Sequence, residues 1–426
     1  MSDAVDSRRD SLARTPALVT AGLAACLLIA LAAALVPWTW IPGGQLTPAS
    51  ALDVFTPAEV ARAEEFSTIQ RYLVWSSYFL SLLVAVALGF TTLGARLVRG
   101  ISGRLTWWLA VVLGSLALLA IGRMLTLPIS IAVHGLQLDY GLTNQAWGAW
   151  VVDYAKSFLV AWVLTTLLLL VIVGAARRSP RYWFAWAGGS AATLTLMGSF
   201  LYPVVVEPLF NNFKPMAAGS FKSSVFELAE AEGVEIDEVL VADASRRTTT
   251  LNAYVSGFGD TRRVVVYDNT LTELAPDEVR VIVAHELAHA KHNDVLTGTM
   301  LGAVSSIFGI SLLALLLDSS LVRRRSGSGG AADPATLAVV LALVAMGAFL
   351  VSPVENTISR AVEARADRDS IAATGEGHVF AEMQHELAVH SLSDPTPPWL
   401  NQFWFGSHPT VLQRVGIPES LDEASR

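Results

Sequence analysis

Three of the chain's eight histidines fall within one short stretch, VIVAHELAHAKHND at residues 281–294. On a helix, which turns about 100° per residue, His285 and His289 lie about 40° apart, so both imidazoles can reach one ion. Glu286 projects about 60° beyond His289. It can approach a metal-bound water without entering the coordination shell. Two nitrogen ligands and a general base from one helical turn make the H-E-x-x-H arrangement of zinc metalloproteases. The competing reading is a polar helix face with incidental histidines.

Catalytic zinc usually takes three protein ligands and keeps one position for water. Three candidates compete for the third place. His292 is nearest, but it lies a turn beyond the pair. The extended motif with a further histidine needs glycine at 292 and histidine at 295, where the chain has His292 and Val295. HELAVH at 385–390 looks like a second motif, yet a five-residue spacing points His385 and His390 about 140° apart on a helix. Glu363, in NTISRAVEARAD at 356–367, follows the last apolar run on a helical stretch, with Asp367 on the same face. A carboxylate from that distance completes a His2Glu set. Arg360, Glu363 and Asp367 would equally make a surface ion-pair ladder.

These residues sit in a strongly apolar chain. Of its 426 residues 53% are hydrophobic and only 15% charged, and the mean hydropathy is +0.49. Soluble domains are about 25% charged, so this is an integral membrane protein with the lipid bilayer as a partner. The net charge of −8 leaves no broad basic surface for nucleic acid. Cys26 is the single cysteine, so no intrachain disulfide can form.

Seven segments reach the roughly 20 apolar residues that a helix needs to cross a bilayer: 17–36, 72–94, 105–127, 157–176, 182–206, 295–317 and 336–353. The first is read as a retained anchor, its apolar core being longer than that of a secretory signal. In the polar connection 37–71, Thr56-Pro57-Ala58-Glu59 carries the marks of a helix start and predicts a short amphipathic helix. VLVADAS, NAYVSGF and RRVVVYD predict strands, the last two joined as a hairpin through Gly259-Asp260. Pro276, followed by Asp277 and Glu278, opens the helix that carries the histidine motif. Residues 318–335 read as a flexible loop.

The organisation is thus a membrane region at 1–206, a metal-binding domain at 207–298, two more membrane helices at 299–353 and a C-terminal region at 354–426. Twelve arginines lie in the N-terminus and the loops 95–104, 177–181 and 318–335, against Arg62, Arg71 and Lys156 in the opposite short loops. The positive-inside rule therefore puts the N-terminus in the cytoplasm and the 207–294 domain outside.

HELAH, SRAVEARAD and GSHPTVLQR, in that order, resemble the CAAX prenyl protease 1 family of integral-membrane zinc endopeptidases. EPLFNNFKPM and the DASRRTTTLNAYVSGFG…RRVVVYDNTL segment resemble the same family upstream. The resemblance implies a mainly α integral membrane protein. Seven transmembrane helices would form an α-barrel around an internal chamber, with a thermolysin-like α+β metalloprotease domain at one mouth. It implies one zinc ion per chain on His285, His289 and Glu363, with Glu286 as general base. Asp367 would orient an imidazole, with Arg360 among the supporting residues. His408 would steady the oxyanion, Arg414 would pair with Asp367, and Asn252 would hold the substrate backbone. The expected activity is hydrolysis of a peptide or protein bound as an extended strand along the 252–258 edge, by a monomer. Quality control of membrane proteins by the same chemistry is the nearest alternative. Arg123, inside the third apolar segment, motivates a transporter or channel instead.

Overall fold

The computed structural model describes residues 2–39, 46–257 and 259–424. Among these are seven helices long and apolar enough to cross a membrane. The Thr56 hydroxyl accepts from the Glu59 backbone and the Glu59 carboxylate accepts from the Thr56 N–H at 2.8 Å, so a capping box starts the Pro57–Gly89 helix. That start does not belong to a separate short helix. The amphipathic segment and the second membrane crossing form one rod of 33 residues. At 1.5 Å per residue this is about 50 Å, well beyond the roughly 30 Å of a hydrocarbon core. The Trp107–Asp139 and Trp147–Arg178 helices, of 33 and 32 residues, are of similar length. The last crossing runs unbroken from Leu337 to Thr374, which carries Glu363 and Asp367 on the extension of a membrane helix.

The membrane helices pack as neighbours around a ring. Leu337–Thr374 lies on Pro57–Gly89, which lies on Trp107–Asp139, then Trp147–Arg178, Trp183–Leu201 and Asp294–Leu317; the last of these meets Leu337–Thr374, and Ser2–Leu35 runs along it. Gly89 permits a close approach of two of these helices, since a Cβ there would come within 2.4 Å of the Ala342 methyl. Two apolar cores close the ends. One joins Val98, Val111, Ile172, Phe184, Leu313 and Leu337 at the arginine-rich end. The other joins Val225, Val239, Val264, Leu287, Phe380 and Met383 beneath the histidine motif. Between them the membrane helices bury few side chains. A wall one helix thick therefore has an outer face toward lipid and an inner face toward a chamber. Within the wall the Arg123 guanidinium stacks 3.5 Å over the Tyr154 ring and donates to the Tyr154 carbonyl.

The segment expected as a flexible loop at 318–335 contains a Ser320–Ser326 helix. Val322 and Ser326 are buried in it, and Arg99 donates to the Gly327 carbonyl beside it. Buried apolar and hydroxyl groups order this segment despite its glycines.

Above the barrel stands a four-stranded sheet of order β1-β2-β4-β3, with β1 Phe213–Pro215, β2 Glu238–Ala242, β3 Ala253–Ser256 and β4 Arg263–Tyr267. β3 and β4 pair antiparallel as the expected hairpin, while β2 and β4 run parallel. β3 is an edge strand and packs against the Pro276–Lys291 helix.

Candidate metal centre

Pro276–Lys291 is one helix, so His285 and His289 stand one turn apart on it. Their Nε2 atoms approach to 3.2 Å. Glu363 enters from the Leu337–Thr374 helix, its carboxyl oxygens 3.2 Å from His285 Nε2 and 3.6 Å from His289 Nε2. The three residues offer ligand atoms within 4.8 Å of one another. The other nitrogen of each ring is backed by an acid. His285 Nδ1 lies 2.9 Å from Asp367 Oδ1, and His289 Nδ1 lies 3.0 Å from Asp294 Oδ2. Each acid in turn holds an arginine: Arg414 grips Asp367 through Nε at 2.8 Å and Nη2 at 2.5 Å, and Arg365 pairs with Asp294.

Whether a metal fits can be judged from Glu363 Oε2. This oxygen is buried without a hydrogen-bond partner, although His285 Nε2 and His408 Nε2 both stand 3.2 Å away. A buried anionic oxygen left bare is costly unless a cation shares the space. Two imidazoles with free Nε2 atoms and one carboxylate are the donor set that suits zinc-type ions. The residues fit a metal.

The charges in this cluster are strongly coupled. Burial opposes a charge on His289, but the hydrogen bond to Asp294 and the carboxylates of Glu363 and Glu286 outweigh it and push the imidazole up to about 10. His285 is also raised, because Asp367 and Glu363 overcome the effect of burial. Burial pushes the Glu286 carboxyl above its ordinary range, against the pull of His285 and His289.

The cluster opens into a cleft of about 360 Å³ whose walls include Val255, Gly257, Arg262, Glu286, Asn293 and His408. His408 is half exposed there, its Nδ1 2.9 Å from the Ser407 hydroxyl. Arg360 donates to the carbonyls of Gln402 at 3.1 Å and Gly406 at 2.7 Å, and Gln402 donates to the His408 carbonyl at 2.6 Å. It thereby ties down the strap that bears His408. Asn252 immediately precedes β3, its carbonyl accepting from the Thr270 hydroxyl at 2.9 Å and from the Tyr267 N–H at 3.1 Å.

The competing histidines go elsewhere. His292 pairs with Asp369 at 2.6 Å. His385 stacks on Phe55 and faces Glu59, while His390 faces Glu386. Asp294 and Arg365 are the residues that motif reading missed. The available signal was an acid five positions after the second histidine, in His292-Asn293-Asp294.

Residues 215–419 match the profile of peptidase family M48, and residues 44–212 match that of the CAAX prenyl protease N-terminal region with five membrane helices. YhfN, an uncharacterized metalloprotease of Bacillus subtilis, is 29% identical over 395 residues, covering 90% of each chain. CAAX prenyl protease 1 of Saccharomyces cerevisiae is 23% identical over 324 residues, covering 72% of this chain and 71% of its own. The crystal structure of S. mikatae Ste24p superposes with a TM-score of 0.76 at 20% identity, over 95% of this chain and 99% of that one. That superposition shows the same fold, a membrane chamber capped by a protease domain.

Proposed function

The chain belongs to peptidase family M48, in its CAAX prenyl protease branch, and on that premise we propose that His285, His289 and Glu363 hold one zinc ion per chain and that Glu286 carries the proton. The protein is a membrane metalloendopeptidase with a metal cofactor. The observation that carries the zinc assignment is the orphaned Glu363 Oε2 among imidazole nitrogens.

When bound, zinc supplies Lewis acidity that acidifies water and polarises a carbonyl. The rest falls to the chain's own side chains. Burial raises Glu286, which brings its carboxyl nearer the working pH and suits it to take a proton and return it to the leaving amine. Asp367 and Asp294 fix the tautomers of His285 and His289, so that each ring keeps its Nε2 lone pair for the metal. His408 stands at the cleft with its ring toward Glu363. A donor placed there can steady the negative oxygen that develops during attack, a contribution of roughly 2.7–4 kcal/mol where measured.

β3 offers the free edge on which a polypeptide can lie as an added strand, and Asn252 at its start would hold that backbone. All of these groups come from one chain, so a monomer suffices. The arginine-rich end lies opposite the sheet, which supports an orientation with the metal centre outside the cytoplasm.

Glu286→Gln in detergent-purified protein tests the assignment. It should retain one zinc and lose peptide cleavage, whereas His285→Ala and Glu363→Ala should lose the zinc itself. Undiminished turnover by Glu286→Gln overturns the role given to that residue.

A further inference from the structure

Arg262 stands in the same cleft as the metal cluster without an ion-pair partner among the described residues. Its Nη2 donates to the Asn293 amide oxygen at 2.9 Å, a neutral group. The neighbouring acids are engaged elsewhere. Asp294 holds His289 and Arg365, and Glu363 faces three imidazoles. A guanidinium has five N–H donors in a planar fork, so most of its capacity remains open to whatever enters the cleft.

The backbone fixes where this charge sits. Ser256 pairs with Arg263, which places Arg262 opposite Gly257 at the end of the hairpin. Gly257 also lines the cleft and holds a left-handed φ of 94°. A strand laid on the free edge of β3 advances about 3.3 Å per residue. A substrate residue level with Gly257 is therefore about two residues from one level with Val255, beside Glu286.

We infer that Arg262 forms an anion-selective subsite of the proteolytic cleft, taking a substrate carboxylate within about four residues of the scissile bond on one side. This inference rests on the proposed active site and adds a substrate preference to it. The carboxylate comes either from an Asp or Glu side chain or from a nearby free C-terminus. Both would dock on the guanidinium fork with two parallel N–H···O bonds. A purely structural Arg262, favoured at the C-terminal end of the Pro276–Lys291 helix by its dipole, would show no such preference.

The test uses internally quenched peptides that share one scissile bond and carry Asp, Asn or Lys at each of four positions on either side. Each is made with a free and an amidated C-terminus. The wild-type protein should favour Asp over Asn at one position, or the free over the amidated end, by about tenfold in kcat/KM, expressed mainly in KM. Arg262→Gln should erase that preference, so that the Asp and Asn peptides are cleaved alike, and Arg262→Glu should turn it toward Lys. Arg262→Lys should keep part of it, which covers the case in which loss of the charge disturbs folding. A wild-type scan without acid preference, or a preference that survives in Arg262→Gln, overturns the inference. Glu286→Gln in the same assay checks the active site separately, since retained cleavage there would sink that reading whatever Arg262 does.

Discussion

The Nδ1 of His289 donates across 3.0 Å to Asp294, a residue only five positions along the chain but on the next helix. Asn293 makes this possible by adopting a left-handed backbone, φ 54°, at the corner between the two helices. Asn tolerates that conformation better than most residues. Asp294→Asn should therefore loosen metal binding by about 10- to 100-fold, the usual effect of removing a ligand's supporting carboxylate. Competition with a chelator measures it. Affinity equal to wild type would mean that the Asp294 contact does not support the ligand.

The same acids favour the protonated form of both imidazoles in the metal-free protein. His289 is pushed up to about 10, and His285 is raised as well. Each must lose a proton before its Nε2 can bind an ion. Metal affinity should thus rise with pH, about tenfold per unit for each proton displaced, and fall in acid. Calorimetric titration in buffers of different ionisation enthalpy counts those protons, and about one, from His289, is expected at pH 7. A count of zero would contradict the raised values.

Much of this was legible in the residues. The paired imidazoles needed only helical periodicity, and Glu363 and Asp367 sat four apart on a recognisable helical stretch. Seven apolar runs announced seven membrane helices. What escaped depended on continuity and corners. Thr56 and Glu59 were readable as a helix start, but nothing local said that the helix would continue through the membrane to Gly89. The Ser320–Ser326 helix was hidden by flanking glycines and serines. β1 has only three residues, too few for an alternating pattern. Asp294 escaped because its contact depends on the left-handed turn at Asn293, and a spacing rule for straight helices does not include such turns.

Asp367 is fully buried and Arg414 is its fork-shaped counter-ion, with contacts at 2.8 and 2.5 Å. Removing one member of such a pair strands the other charge and costs roughly 3–5 kcal/mol. Arg414→Leu should therefore lower the thermal unfolding temperature markedly and reduce zinc occupancy, because Asp367 also faces His285. Joining it with Asp367→Asn should recover part of the stability, since no buried charge is then left alone. Intrinsic fluorescence melts of the single and double variants report this. A double variant no more stable than Arg414→Leu would show that the stranded charge is not the source of the loss.

Gly257 ends the edge strand where the chain turns toward β4. A Cβ there would stand 2.3 Å from the Thr261 carbonyl oxygen and 3.2 Å from the Arg262 Cα, at a φ of 94° that L-residues rarely adopt. Both the backbone conformation and the close carbonyl oppose any side chain. Gly257→Ala must therefore shift the turn and tilt the end of the strand on which the substrate is proposed to lie. The metal cluster is built on the Pro276–Lys291 and Leu337–Thr374 helices and does not use this turn. Zinc content should stay at one per chain while KM rises about tenfold or more, with a smaller change in kcat, as expected when substrate binding alone is lost. Steady-state kinetics alongside metal analysis separates the two quantities. An unchanged KM would show that the substrate does not use the edge of β3 near Gly257.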